Sequence, residues 1–180
     1  VSLFGDGHQF RDRRYGTKGW VVPTMGGEFY LTRRFGFSDG VMGGNLWFMA
    51  ESEDASILAA EQSVQAVNGV DGAVLTFPGG IAASASKAGS RYSFLIASTY
   101  AEYCPTLRSK LGDSSQVPDG VSSIMEIVIN GSSLKHVADA TYAAIDAAIG
   151  TAGLVRITAG NYGGRLGKSF IYLRPENHKD

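Results

Sequence analysis

The chain has 180 residues, of which 44% are hydrophobic and 18% charged, so it can bury a core as one domain or as two small ones. Its formal net charge of -1 argues against a nucleic-acid binder with a basic face, and its single cysteine, Cys104, excludes a disulfide framework or a cysteine-based zinc site. No apolar run reaches the ~20 residues of a membrane span and no secretory signal opens the chain, so we expect no membrane partner and a cytoplasmic protein.

The first residues are predicted to form a linker. Residues 1–27 begin with turn chemistry at 4–7, and the chain starts at Val1 rather than Met, which favours a fragment or a processed product. Order is predicted to begin at residue 28. A single compact lobe is therefore predicted over 28–173, followed by a polar tail at 174–180.

In the first half of the lobe, alternating apolar and polar residues predict a strand over 28–35, and a second strand is predicted at 45–51 after a glycine-rich turn. Asp54 is predicted to cap a helix that ends near Val67, just before an Asn-Gly pair. A buried strand is predicted at 73–77. The inner face of the helix is predicted to comprise Ile57, Ala60, Val64 and Val67.

The second half repeats this order, with a strand at 124–129, a helix ending near Ala148 and a strand at 154–158. An additional strand is predicted after each unit, at 93–98 and at 169–173. Together these elements predict an α+β fold, a ferredoxin-like two-layer sandwich of two β-α-β repeats with both helices on one face of the sheet. The inner face of the second helix is predicted to comprise Leu134, Val137, Thr141, Ala144 and Ala148.

Glu126 lies in the middle of the apolar strand Ile124–Gly131. Apolar residues occupy both alternating phases of this strand, so we expect protein to cover both of its faces. Burial without a partner would favour the neutral acid, and a protonated carboxyl group is a candidate general acid. The alternative is a structural glutamate paired with Arg156 or Arg91, which the residues alone favour.

Two glycine-rich loops, at 77–90 and 160–164, are weaker candidates for ligand binding. Small side chains let backbone N–H groups approach a ligand, and the first loop adds serine and lysine donors. Neither the Walker spacing nor Gly-x-Gly-x-x-Gly is present, and a flexible hairpin tip explains the first loop equally well. The candidate residues in and beside these loops are Phe77, Pro78, Gly79, Gly80, Ser84, Ser86, Lys87, Arg91, Asn161, Gly163 and Gly164.

Other reactive side chains give weaker indications. The three histidines lack metal-ligand spacing, so no metal site is predicted. Cys104 has no histidine or carboxylate close in sequence and is predicted to be a packing residue rather than a nucleophile. The aromatic cluster Tyr100–Tyr103 and residues 108–120 are predicted to form a surface excursion.

Five segments in order resemble formylmethanofuran:tetrahydromethanopterin formyltransferase, namely GGNLWFMAES, FPGGIAASASKAGSRYSFL, YCPTLR, PDGVSSIMEIVING and AGNYGGRLGKSFIYL. The resemblance extends from Leu3 to about Leu173. The family enzyme is longer and has two α/β lobes, and this chain resembles its second, proximal lobe with the linker into it. The resemblance therefore implies a missing N-terminal lobe and leaves open whether this lobe is active alone.

The resemblance implies a cytoplasmic acyltransferase of one-carbon metabolism, acting in methanogenesis or formaldehyde oxidation. It would move a formyl group between methanofuran and N5 of tetrahydromethanopterin, two coenzyme substrates, with no covalently bound cofactor. The family's catalytic glutamate falls on Glu126, which reverses the preference given above. Direct attack by the pterin nitrogen would then need only a protonated Glu126 to stabilise the oxyanion.

The resemblance also implies partners: a homo-oligomer, dimer or tetramer, or a complex with an amidohydrolase-like subunit. From composition and position we hypothesise that the glycine loops position the substrates, that Asn161 holds an amide, and that Lys87 and Arg91 meet the acidic tails of the coenzymes. Two other classes remain open. One is a non-catalytic ligand-binding module. The other is a scaffold subunit, suggested by the exposed aromatic residues predicted at Trp20, Tyr100 and Tyr103.

Overall fold

The computed structural model describes residues 7–160, 167 and 169–174. The chain divides into two compact units, Val1–Asp39 and Gly40–Asp180. Within the described ranges, the helices are all too short or too polar to cross a membrane.

The first unit holds three strands, β1 (Phe10–Arg14), β2 (Thr17–Thr24) and β3 (Gly27–Thr32), which form an antiparallel sheet in that order. The turn Tyr15-Gly16 joins β1 to β2, and its φ angles of 51° and 74° are those of a type I′ hairpin. The prediction that order begins at residue 28 is therefore wrong. Charged residues on the exposed positions of β1 made these strands resemble a linker.

The second unit contains the remaining elements, and most of its regular structure lies in one sheet. In chain order its described elements are β4 (Val41–Ala50), α1 (Glu53–Asn68), β5 (Ala73–Leu75), β6 (Ser86–Ala88), β7 (Ala97–Thr99), α2 (Arg108–Leu111), β8 (Ser123–Gly131), α3 (Leu134–Ala148) and β9 (Leu154–Thr158). The main sheet has the order β5-β8-β4-β9, and each neighbouring pair is antiparallel. The protein is therefore α+β.

The two long helices pack against each other and against the central strands β4 and β8. The Ser63 hydroxyl donates to the carbonyl oxygen of Ala144 over 2.8 Å, so α1 and α3 approach closely where both present small side chains. Ser52, not the predicted Asp54, caps α1, because its hydroxyl accepts the N–H of Ala55. Asp54 lies in the first turn instead, where a negative charge favours the helix dipole.

The helix-facing core matches most of the predicted helix faces. Ile57 and Val64 are only half-buried, and Leu134 is 38% exposed. Leu134 is the first residue of α3, where the side chain extends past the edge of the core. The predicted face residues that are buried are Ala60, Val67, Val137, Thr141, Ala144 and Ala148.

Two predicted strands are absent from the main sheet. Of residues 93–98, only the last two lie in a strand, β7, which pairs with β6 in a separate two-stranded sheet. Residues 169–173 form no strand. The prediction at 93–98 rests on the apolar run Phe94–Ile96, whose side chains are exposed, and a short apolar run without alternation does not distinguish a strand from an exposed loop.

Candidate functional site

Glu126 lies at the centre of β8 on the face of the main sheet opposite the helices. Met125 and Ile127 belong to the helix-facing core, whereas Ile124 packs with Trp47 on the other face, so strand alternation places Glu126 with that second group. The register pairs Glu126 directly with Trp47 of β4. The Glu126 side chain is fully buried.

The segment after β5, residues 82–99, covers the carboxyl group of Glu126 and is called the cover segment. Ala82 forms an isolated antiparallel bridge with Glu126, with N–O distances of 2.8 and 2.6 Å. Ala85, which is buried, has a φ of 45°, a left-handed conformation that costs a non-glycine residue roughly 1–2 kcal/mol. The flanking residues Ser84 and Ser86 both contact the Glu126 carboxyl group. The strained residue Ala85 therefore lies between the two serines whose hydroxyls contact the buried carboxyl group of Glu126.

The two carboxyl oxygens of Glu126 have different surroundings. Oε1 accepts the side-chain N–H of Asn45 at 3.0 Å and that of Trp47 at 3.1 Å. The orientation of the Asn45 amide is fixed because its oxygen accepts the N–H of Gly160 at 3.1 Å. Oε1 therefore faces groups that can only donate.

Oε2 lies 2.6 Å from the Ser84 hydroxyl and 2.8 Å from the Ser86 hydroxyl, and both hydroxyls can accept as well as donate. The Ser86 N–H, which only donates, is shared between Oε2 at 3.2 Å and Oε1 at 3.3 Å. Because a hydroxyl either donates or accepts, Oε2 is the oxygen that can carry a proton. None of the ion pairs between described residues involves Glu126. Arg91 and Arg156 are exposed, so the alternative that either pairs with Glu126 is wrong.

Aromatic side chains extend the cover beside Trp47. The Trp47 ring centroid lies 5.6 Å from that of Tyr100 and 5.1 Å from that of Tyr103, both in edge contacts. The ammonium group of Lys87 lies 5.5 Å from the Tyr100 ring centroid. Tyr100 and Tyr103 are half-buried, so the prediction of a surface excursion with exposed aromatics is wrong here. Trp20, in the first unit, is also buried.

Arg108 holds the outer part of this cover. Its guanidinium group donates to the carbonyl oxygens of Val117, Pro118 and Val121. The side chains of Val117 and Val121 pack in the cluster that includes Trp47. Arg108 therefore fixes residues that close the sheet face around Glu126.

Replacing Arg108 by alanine is expected to lower the free energy of unfolding by about 1 kcal/mol, because three carbonyl groups lose a shared donor. Chemical denaturation measures this change. Lys110→Ala is the matched control, since Lys110 is an exposed cation of the same short helix α2. Equal stability of the two variants would contradict a role for Arg108 in holding the cover.

The structure brings only some of the predicted binding residues together. Ser84, Ser86 and Lys87 lie at the cover of Glu126, whereas Pro78, Gly79 and Arg91 are exposed. Phe77 is half-buried, and its carbonyl oxygen accepts the N–H of Gly80 at 2.8 Å, so that N–H is already engaged. Three predicted residues lie outside the described part of the chain: Asn161, Gly163 and Gly164. Within the described residues, no group of three or more His, Cys, Asp or Glu side chains could hold a metal ion.

The residues that sequence reasoning missed are Asn45, Trp47, Tyr100 and Tyr103. One feature could have indicated the first of them. Asn45 is a polar residue next to the apolar end of β4, and a polar residue that is buried there needs a hydrogen-bond partner. The two tyrosines carry no comparable pattern, because they lie in short helical turns.

Comparisons with known proteins agree on one family. The sequence model of the family described as "FTR, proximal lobe" matches residues 27–175. The chain is 48% identical over 174 residues to formylmethanofuran–tetrahydromethanopterin formyltransferase of Methanopyrus kandleri, covering 96% of this chain and 57% of that protein. It is 40% identical over 177 residues to the enzyme of the same name from Methylococcus capsulatus, covering 97% and 59%.

Solved structures agree with the sequence comparisons. The formyltransferase from Methanosarcina barkeri matches with a TM-score of 0.70 at 37% identity, covering 91% of this chain and 55% of that one. The formyltransferase/hydrolase complex from Methylorubrum extorquens with methylofuran matches with a TM-score of 0.72 at 37% identity, covering 97% and 59%. The chain thus spans little more than half the length of these relatives. It belongs to the formylmethanofuran–tetrahydromethanopterin formyltransferase family, in the part described as the proximal lobe.

Proposed function

We propose that the protein containing this chain transfers a formyl group between methanofuran and N5 of tetrahydromethanopterin. The names of the relatives, at 40–48% identity, support this substrate pair. Because the chain spans 57–59% of those relatives, the activity is proposed for the whole protein, with the coenzymes as its substrates and no covalently bound cofactor.

We further propose that residues 28–173 form the proximal lobe, with a ferredoxin-like arrangement of two β-α-β repeats. The sheet order β5-β8-β4-β9 and the packing of α1 and α3 on the same central strands support this arrangement. A cytoplasmic location and assembly into a homo-oligomer or a larger complex remain part of the proposal. The match to a formyltransferase/hydrolase complex supports the latter.

The observation that carries the proposal is the environment of Glu126. Its carboxyl group is fully buried, none of the ion pairs between described residues involves it, Oε1 accepts two fixed side-chain N–H donors, and Oε2 faces two hydroxyls. We propose that this carboxyl group is neutral, with Oε1 as the carbonyl oxygen and Oε2 as the hydroxyl, because both serine hydroxyls beside Oε2 can accept as well as donate. An acid held in this form can supply a hydrogen bond to an oxyanion.

The proposed reaction needs no protein nucleophile. The amine nitrogen of the acceptor attacks the formamide carbon of the donor, and negative charge develops on the carbonyl oxygen. The proton of Glu126 stabilises that charge, and the tetrahedral intermediate collapses with loss of the donor amine. The attacking nitrogen is positively charged in the intermediate, and its proton is transferred through solvent water to the leaving nitrogen as the C–N bond to the donor amine breaks. The proton on the former carbonyl oxygen then returns to Glu126 as the C=O bond re-forms.

The remaining predicted residues are proposed to bind the substrates. Lys87, which is half-buried with its ammonium group 5.5 Å from the Tyr100 ring centroid, is proposed to bind an anionic group of a coenzyme. Arg91 and the exposed Pro78-Gly79 turn are proposed to contact coenzyme tails further out. Phe77, Gly80, Asn161, Gly163 and Gly164 complete the proposed set.

A second candidate is a non-catalytic lobe that binds ligand or scaffolds a larger assembly. The match to a formyltransferase/hydrolase complex is the observation that favours it. The two proposals differ in turnover rather than in binding, because a lobe of either kind can hold a coenzyme.

The test is to incubate the full-length protein with formylmethanofuran and tetrahydromethanopterin and to follow the formylated pterin. We expect catalytic turnover that is proportional to protein concentration. Binding of the pterin without turnover would contradict the proposed enzyme and favour the non-catalytic lobe.

A further inference from the structure

The buried position of Glu126 raises a question of access. Its side chain has no exposed surface, and the carboxyl group is enclosed by the cover segment and by donors from β4. Among the described residues, a substrate carbonyl oxygen would therefore meet the groups that touch the carboxyl oxygens before it met those oxygens themselves. Ser84 and Ser86, in contrast, are both half-exposed while touching Oε2.

Three oxygens form a closed ring at this point. Oε2 lies 2.6 Å from the Ser84 hydroxyl, the two serine hydroxyls are 3.2 Å apart, and the Ser86 hydroxyl lies 2.8 Å from Oε2. With Glu126 protonated, each of the three oxygens donates one hydrogen and accepts one around the ring. The longest edge, between the two serines, is the weakest and opens first.

The contact lengths indicate which hydroxyl accepts the proton of a neutral Glu126. An acidic O–H makes the shorter hydrogen bond, and Oε2 lies 2.6 Å from the Ser84 hydroxyl but 2.8 Å from that of Ser86. We therefore assign Ser84 as the acceptor of Oε2–H and Ser86 as the hydroxyl that donates to Oε2. When the ring opens, only the hydrogen of the Ser84 hydroxyl is left without an acceptor in the ring. An ionised Glu126 would instead bind both hydroxyl hydrogens and leave none.

We propose that Ser84 is a catalytic residue that relays the proton of the buried Glu126 to the carbonyl oxygen of the formyl donor. The proposal rests on the proposed function and names the group that touches the substrate. As the acceptor nitrogen attacks, the Ser84 O–H bond breaks toward the developing oxyanion, and the Oε2–H bond breaks toward the Ser84 oxygen. Both transfers reverse when the tetrahedral intermediate collapses, so atoms and charge balance without any further reactant.

The experiment compares Ser84→Ala, Ser84→Thr and Ser98→Ala in the full-length protein, assayed for formyl transfer. We expect Ser84→Ala to lower kcat by about 10²-fold or more with little change in KM, as for loss of one oxyanion donor. Ser84→Thr keeps the hydroxyl and should recover most of the rate. Ser98→Ala is the matched control, since Ser98 lies in β7 of the same hairpin and its hydroxyl donates to the carbonyl oxygen of Gly89.

A second measurement does not depend on a variant that folds. In mixtures of light and heavy water, kcat of the unaltered protein should decrease non-linearly with the deuterium fraction of the solvent, because more than one proton moves in the step. A linear dependence would overturn the relay, as would Ser84→Ala turning over as fast as Ser98→Ala. If Glu126→Gln is slow while Ser84→Ala is not, the relay fails and the proposed function stands. If the unaltered protein transfers no formyl group, the proposed function itself fails.

Discussion

Replacing Glu126 by glutamine is expected to lower formyl transfer by roughly two to four orders of magnitude, the range that a positioned general acid contributes. Glutamine has nearly the same shape as a neutral glutamic acid, so its oxygen can still accept from Asn45 and Trp47. The glutamine side chain has no acidic proton to transfer to Ser84. The variant should therefore lose the rate while remaining folded, and steady-state formyl transfer together with thermal unfolding measures both.

The control for this substitution is Glu61→Gln, which neutralises an exposed carboxylate on α1. Its turnover should equal that of the unaltered protein. Glu126→Leu tests the hydrogen bonds to Glu126 rather than its proton. It leaves the side-chain N–H groups of Asn45 and Trp47 buried without acceptors, which should lower the free energy of unfolding by about 1–3 kcal/mol for each. If Glu126→Gln turns over as fast as Glu61→Gln, then Glu126 has no role in the chemistry.

The elements that sequence reasoning located correctly are those whose information is local. The end of α1 at Asn68, just before Gly69, and the limits of β9 follow from turn residues and apolar periodicity within a few positions. The burial of Glu126 also follows from its own strand, because apolar residues flank it in both phases. The cap of α1 was misplaced by two residues, which is the ordinary uncertainty at a helix end.

The partners of Glu126 could not be predicted in the same way. Asn45 and Trp47 are 81 and 79 residues away in the chain, and only the register of β4 against β8 brings them to Oε1. The two arginines proposed from charge alone lie elsewhere, because a buried acid can be satisfied by neutral donors. Charge complementarity is therefore a poor guide to partners when the acid itself can be neutral.

The position of the cover segment could not be predicted from the sequence for a related reason. Its strands β6 and β7 have three residues each, too few to show a period, and its position depends on single contacts such as the bridge of Ala82 to Glu126. The left-handed conformation of Ala85 is not indicated by its side chain, since alanine rarely adopts it. Ser84 and Ser86 were identified only as possible donors, without their acceptor.

Replacing Gly160 by alanine is expected to lower the free energy of unfolding by about 1–3 kcal/mol, the usual cost of overfilling a packed site. A β-carbon at Gly160 would lie 2.6 Å from Cζ2 of Trp47 and 3.2 Å from the side-chain nitrogen of Asn45. Trp47 cannot retreat easily, because it is 2% exposed and packs against Tyr100 and Tyr103. Chemical denaturation measures the loss.

The same substitution should also slow formyl transfer, because Asn45 and Trp47 are the two side-chain donors that fix Oε1 of Glu126. Displacing them moves the acid, and a misplacement of about 1 Å can lower a rate about 10²-fold. Gly150→Ala is the matched control, since a β-carbon there meets no atom within 4 Å. If Gly160→Ala matched Gly150→Ala in both stability and rate, the close packing behind Glu126 would have no part in holding the acid, and the hydroxyls of the cover would have to orient it alone.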